Sequence, residues 1–327
     1  MKQQQILQLL LLTIFSTLLF IGCTNDQTAL DTEPAEETTN EQATNAQFPL
    51  ELTDSTGNKV ILEQRPETII SLIPSNTEIL FALGLDDEII AVTENDTYPE
   101  AALEKDTVGD YEINVEKVIS LSPDLVLAHA SVAESSFDAF EQIKQADINV
   151  YFVSDAQTIE ETYGSIEEIG KVTGMRDEAE DVIATMQVEF AKIRAIAETI
   201  PETEKRSVLF EISPEPEIFT AGHGTFFNEL IEFVNAINAA GDLDGWAQID
   251  PEAIIELNPD VILTIYGSYV DNAVKQVLTR DGFSEVQAIK NEQVFDIDED
   301  IVSRPGPRLV EGARLIAESV YPSFFTE

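Results

Sequence analysis

His129 and His223 are the only two histidines in the 327-residue chain, and they are the side chains best suited to metal or acid–base chemistry. Two imidazoles joined by carboxylates would make a zinc site of the kind that activates water for hydrolysis. Both follow segments that read as strands, and open α/β sheets place their ligand crevice beyond the strand ends. A metal-dependent surface hydrolase built on His129 and His223 is therefore one reading. It needs further carboxylates that only the fold can bring near, and two incidental histidines fit the sequence as well. Other chemistries lack their signatures. There is no G-x-S-x-G elbow, no H-E-x-x-H helix and no C-x-x-C pair. Five residues separate Gly164 from Gly170-Lys171 where a phosphate loop needs four, and nothing strand-like leads into them. In Gly222-His223-Gly224, Phe227 takes the place of the third glycine of a dinucleotide fingerprint. No acidic run has the spacing of a calcium loop. The expectation is a protein that binds rather than catalyses, with no metal and no resident cofactor.

Binding chemistry has more candidates. Trp246, the sole tryptophan, ends the loop Gly241-Asp242-Leu243-Asp244-Gly245-Trp246 and offers a flat face to a ligand or a lid to a small core. Tyr98, Tyr111, His129, Phe226, Tyr266 and Tyr269 occupy other predicted rim loops. Arg304 and Arg308 bracket Pro305-Gly306-Pro307 just before a predicted helix, where the macrodipole opposes positive charge. An anion should lie nearby, either an internal carboxylate or an acidic group of a ligand.

A repeat supplies the frame. Val115-Glu116-Lys117-Val118-Ile119-Ser120-Leu121-Ser122-Pro123-Asp124-Leu125-Val126-Leu127 reads like Pro251-Glu252-Ala253-Ile254-Ile255-Glu256-Leu257-Asn258-Pro259-Asp260-Val261-Ile262-Leu263. Each is a short helix opened by Glu, broken at Pro-Asp and followed by an apolar run suited to a buried parallel strand. Thr68-Ile69-Ile70-Ser71-Leu72-Ile73-Pro74 and Ser207-Val208-Leu209-Phe210-Glu211-Ile212-Ser213-Pro214 correspond more loosely. Between them, Ala179, Ile183, Met186, Phe190, Ile193, Ala197 and Ile200 recur in steps of four and three, one apolar stripe on a helix over 177–200. The fold class is α/β: two Rossmann-like lobes with central, mostly parallel sheets, joined by one long helix. The lobes span 48–174 and 203–327, with the linker helix over 175–202. Alternation around Thr56-Gly57-Asn58 predicts a peripheral hairpin over 50–62. Ser75 and Glu78 have the spacing of a capping box for a helix ending at Gly84.

The chain opens with Met1-Lys2 and an apolar run of about sixteen residues, too short for a transmembrane helix of roughly twenty, so residues 1–22 read as a signal peptide. Phe20-Ile21-Gly22-Cys23 resembles a bacterial lipobox, and Cys23 is the only cysteine, which leaves no intramolecular disulfide. Residues 23–47 are polar and acidic, a tether behind a lipidated Cys23. With 18 Lys and Arg against 62 Asp and Glu, the net charge is -44. Nucleic acid and anionic headgroups would be repelled, so attachment to the membrane rests on lipid alone.

The repeat, the long helix and the lipobox together resemble the substrate-binding lipoproteins of ABC importers, in the group that carries cobalamin, ferric siderophores or haem. The most specific pieces are Ser71-Leu72-Ile73-Pro74-Ser75-Asn76-Thr77-Glu78 with the following Ile79-Leu80-Phe81-Ala82-Leu83-Gly84, the two repeated segments, and Ser303-Arg304-Pro305-Gly306-Pro307-Arg308-Leu309-Val310-Glu311-Gly312. The resemblance implies a monomeric extracytoplasmic binder that hands a small molecule to an ABC permease dimer with its ATPase subunits. It implies that Glu116 and Glu252, one per lobe, pair with permease arginines, and that Trp246 faces the cleft. Thr24 after Cys23 carries no acidic retention mark, which points to the outer face of a single-membrane bacterium. A sensor or adhesion lipoprotein without a permease is the remaining alternative.

Overall fold

The computed structural model describes residues 48–110 and 112–325. The predicted signal peptide over 1–22, Cys23 with its tether over 23–47, and the predicted rim residue Tyr111 lie outside the described residues. The hairpin forms where alternation predicts it: β1 (Leu50–Thr53) and β2 (Lys59–Leu62) pair antiparallel, Leu50 opposite Leu62. Asp54 closes its turn by accepting from the amides of Thr56 at 3.0 Å and Asn58 at 2.9 Å. The ribbon is more integrated than a peripheral one. Leu52, Val60 and Leu62 are buried, and Ser55 donates to the Phe152 carbonyl from both its amide and its hydroxyl.

The first lobe holds β3 (Ile69–Ser71), β4 (Ile89–Val92), β5 (Asp106–Thr107), β6 (Leu125–His129) and β7 (Asn149–Val153), all parallel in the order β5-β4-β3-β6-β7. The second contains β8 (Ser207–Glu211), β9 (Phe219–Ala221), β10 (Ile237–Asn238), β11 (Trp246–Gln248), β12 (Val261–Thr264) and β13 (Val294–Asp296). Here β10-β8-β12-β13 form a parallel sheet and β9 and β11 an antiparallel pair. The order β4-β3-β6-β7 thus recurs as β10-β8-β12-β13. Helices cover the sheet faces, which is why β6 and β12 are apolar at every position save the last.

The sequence repeat is a repeat of hydrogen bonds as well. Helix Val115–Leu121 runs into β6, and helix Pro251–Leu257 into β12. Each ends in a left-handed residue, Ser122 and Asn258, both at φ 47°, a conformation that costs a non-glycine residue roughly 1–2 kcal/mol. The aspartate after each proline repays the turn. Asp124 accepts from the amide and hydroxyl of Thr68, and Asp260 from those of Ser207, so each pins the strand beside it.

The linker is the helix Arg176–Ala197, and its six inward residues are the predicted stripe from Ala179 to Ala197. It packs on helix Ile159–Thr173 of the first lobe and on helix Leu309–Val320 of the second. One apolar core therefore runs from Ile69 through Phe190 to Leu309 without a break at the lobe boundary. The sequence that resembled a phosphate loop lies inside helix Ile159–Thr173. Gly170 is there for the crossing: a Cβ on it would sit 2.5 Å from that of Ala179. The capping box does not form. Helix Pro74–Ala82 starts on proline with no side-chain cap, and Ser75 and Glu78 lie within it. Proline at the first helical position lacks an N–H that would need a partner, and Glu78, a turn inside the helix, turns to partners elsewhere.

Candidate functional site

The parallel strands of the first lobe deliver Ile73 and Ser75 after β3, His129 at the end of β6, and Asp155, Ala156 and Gln157 after β7 to one side of a cleft of about 240 Å³. Phe226, Phe227 and Trp246 come from the second lobe, and Ser303 and Pro305 close the floor. This is the strand-end location that α/β sheets use for ligands. A larger hollow of about 620 Å³ around Lys205, Asp260 and Gln293 lies at the opposite, N-terminal ends of β8, β12 and β13. It is polar and has no such topological reason to receive a ligand.

The second-lobe wall is built in layers. Phe210, on β8, stacks on Phe227 with ring centroids 4.6 Å apart, and Phe227 meets Trp246 edge to face at 5.6 Å. Trp246 pairs with Ala221 across the β9–β11 ribbon and stays 51% exposed, so its ring forms the open lip of the cleft. Gly222 allows the loops to cross. A Cβ there would lie 2.2 Å from the Leu243 carbonyl, and the Gly222 amide donates to Gly245 at 2.9 Å. The Gly-His-Gly run thus serves loop packing rather than a dinucleotide. Thr225 caps the following helix, Phe226–Phe233, by accepting from the Asn228 amide.

The first-lobe wall is polar. His129 is 5% exposed, with Nδ1 2.8 Å from the Ser131 hydroxyl and Nε2 3.8 Å from the Asp155 carboxylate. Burial pushes its pKa down against the pull of Asp155 and Glu168, which favours a neutral imidazole at the cleft. His223 is exposed, and its backbone pairs beside Asp244, the amide donating to the Leu243 carbonyl and the carbonyl accepting from Gly245. It does not line the cleft, and among the described residues no three His, Cys, Asp or Glu gather to hold a metal. The hydrolase reading therefore lacks its ligand set.

The anion predicted near the two arginines is Glu78. Its buried carboxylate accepts from Arg304 Nη1 at 3.0 Å, Arg308 Nε at 2.8 Å and Arg308 Nη2 at 2.6 Å. Arg304 also reaches Asp300 at 2.6 Å and the Asn95 carbonyl at 3.1 Å. Its donors are thus engaged by the protein, which leaves the internal ion pair as the observed state of this predicted ligand residue.

Among the other predicted contacts, His129, Phe226 and Trp246 come together in the cleft. Tyr98 does not line it; its ring lies under the Arg308 guanidinium at 4.0 Å. Tyr266 is a correction to the predicted rim: it is fully buried, donating to Glu211 at 2.5 Å in a cluster with Arg280. A side chain directly after a central strand turned inward because a buried carboxylate needed its hydroxyl. Tyr269 is exposed and away from the cleft lining. Asp155 and Gln157 are lining residues the sequence did not single out, while Ser75 and Phe227 stood out there for other reasons. The rule that ligands sit past strand ends points to the segment after β7, although it does not name the side chains.

Glu116 and Glu252 are exposed in the first turns of the two repeated helices. Each helix runs antiparallel to the strand it feeds, so its first turn lies at the level of the strand's C-terminal end. Both carboxylates therefore stand on the cleft side of their lobes.

A family model described as periplasmic binding protein matches residues 69–301. The ABC transporter substrate-binding lipoprotein YvrC of Bacillus subtilis is 43% identical over 314 residues, 96% of each chain. The vitamin B12-binding protein of Vibrio parahaemolyticus is 29% identical over 254 residues, 77% of this chain and 88% of that one. A crystal structure of a possible iron-binding, periplasmic solute-binding protein from Staphylococcus epidermidis superposes with a TM-score of 0.72 at 35% identity, covering 79% of this chain and 100% of that one.

Proposed function

This chain belongs to the periplasmic binding protein family, and we propose that it captures a cobalamin-type corrinoid outside the cell and delivers it to an ABC permease. The role in an ABC importer is supported by the lipoprotein of Bacillus subtilis, similar over nearly the whole chain. The observation that carries the ligand class is the make-up of the cleft. One wall is aromatic, the other offers a neutral imidazole, a carboxylate, an amide and a hydroxyl, and no lysine or arginine is among the described lining residues. Arg304, between the lining residues Ser303 and Pro305, is held by Glu78 and Asp300. A ligand with acidic groups, such as haem propionates or a highly anionic siderophore, would meet Asp155 without a compensating cation. A corrin, flat and rimmed with amides, suits aromatic faces and uncharged hydrogen-bonding groups. It is larger than the enclosed cleft and extends past Trp246 into the mouth.

A neutral iron chelate is the second reading, favoured by the likeness to the Staphylococcus epidermidis protein. In either case Cys23 carries the lipid, the protein sits as a monomer on the outer face of a single membrane, and the acidic tether sets its search radius. Glu116 and Glu252 meet a symmetric pair of permease subunits, since a two-lobed repeat presents one carboxylate to each. Labelled-corrinoid uptake by cells carrying Glu116→Lys and Glu252→Lys together tests this. Uptake is expected to be lost while the purified variant binds like wild type; undiminished uptake would remove the docking role.

A further inference from the structure

Two polar contacts between the lobes flank cleft-lining residues along the chain, and their acids come from opposite lobes. On one flank Glu78, one turn after the lining residue Ser75, crosses from the first lobe to Arg304 and Arg308. On the other flank Glu229, one turn after the lining residue Phe226, crosses from the second lobe. Its Oε2 accepts from the Ile159 amide at 2.8 Å. Ile159 is the first residue of helix Ile159–Thr173, two positions past the lining residue Gln157. Thr158 already caps that helix by accepting from the Glu161 amide at 3.1 Å, so Glu229 takes a remaining unpaired donor of the first turn. One hydrogen bond therefore ties the Phe226 side of the cleft to the Gln157 side.

The two flanks differ in strength. Glu78 receives three charge-assisted bonds, Glu229 a single backbone one. Glu229 and Ile159 themselves line a hollow of about 330 Å³ with Tyr163, Phe190, Arg194 and Phe233, which leaves room for movement on this flank. Burial raises the pKa of Glu229, and the Ile159 amide and Arg194 oppose that rise while Glu161 and Glu232 add to it. The acceptor is thus kept where its charge is disfavoured.

We propose that Glu229 is a positioning residue for ligand retention: its bond to the Ile159 amide sets the separation between the Phe226 and Gln157 sides of the cleft, with the Glu78–Arg304–Arg308 contact as the fixed flank. The inference rests on the reading of the Trp246 cleft as the ligand site.

Its test uses the full chain and the fluorescence of the sole tryptophan. Glu229→Ala is expected to make Trp246 more accessible to acrylamide in the ligand-free protein and to speed corrinoid dissociation about tenfold. Glu229→Gln keeps the acceptor and should match wild type in both. Ile159→Pro removes the donor at a backbone position that tolerates proline, after an extended Thr158 (φ -141°, ψ 163°), and should behave like Glu229→Ala, whereas Ile159→Ala trims the same buried side chain but keeps the amide and should leave quenching as in wild type. The double variant should be no worse than either single one. Wild-type quenching or dissociation in both Glu229→Ala and Ile159→Pro would overturn the proposal, as would a Glu229→Gln variant that behaves like Glu229→Ala. Acrylamide quenching needs no ligand. If wild type binds no corrinoid, the ligand reading fails, and quenching alone decides the role of Glu229.

Discussion

The two lobes share a skeleton and differ in the wall each presents to the cleft. Both set a helix, a left-handed turn and an aspartate clamp in front of a buried parallel strand, and both carry an exposed glutamate on the first turn of that helix. Past the strand ends the likeness stops. The first lobe offers Ser75, His129, Asp155 and Gln157, the second Phe226, Phe227 and Trp246. The repeated part carries what both lobes must do alike, which is to fold and, on the proposed docking, to meet a two-fold partner. On the proposed reading, the diverged part carries the ligand chemistry. Conserved architecture and variable strand-end loops are a division that α/β folds permit because the loops contribute little to the core.

That comparison can be broken most forcefully at the buried acids. Glu78→Ala leaves Arg308 without its carboxylate and Arg304 with Asp300 alone, and Glu211→Ala leaves Arg280 with only the half-exposed Glu215, so each should cost about 3–5 kcal/mol in urea denaturation. Only the first contact crosses the lobes, so only Glu78→Ala should also weaken ligand binding; equal binding losses would erase the distinction. Next in size, Trp246→Ala should cost roughly 2 kcal/mol of affinity or more, while Tyr269→Ala, exposed and off the wall, should leave Kd unchanged. The repeat itself predicts matching losses of about 1–2 kcal/mol for Asp124→Ala and Asp260→Ala, since both remove the same clamp. Unequal losses would mean that the turns only look alike.

The smallest effect is the pH response of the polar wall. His129 has its folded pKa below the usual value of 6.5, so the unfolded chain takes up a proton more readily. The stability it contributes is fully present above about 6.5 and is lost as pH falls through the window beneath. His129→Gln should flatten that part of the stability profile, and an unchanged profile would show that another group titrates there.

The sequence made much of this fold legible, for identifiable reasons. The stripe from Ala179 to Ala197 has a single period over six turns, and all its members are buried. The Pro-Asp turns recur because a left-handed residue, a proline and a clamping aspartate are needed together. What was not legible depends on contacts distant in sequence. Ser75 and Glu78 fit a capping pattern, yet Glu78 serves Arg304 and Arg308, more than two hundred residues away. Tyr266 reads like a rim aromatic and is drawn inward by Glu211. Of the cleft residues, His129, Phe226 and Trp246 were found because rare or large side chains after strands stand out, whereas Asp155 and Gln157 resemble any acidic loop.

Trp246 permits the most direct test of the central claim, because no second tryptophan contributes to the signal. The full chain is titrated in parallel with cyanocobalamin, haemin and a ferric siderophore while tryptophan fluorescence is followed. Saturable quenching is expected from the corrinoid and none of comparable affinity from the two iron compounds. Quenching by an iron compound with no response to any corrinoid would contradict the claim.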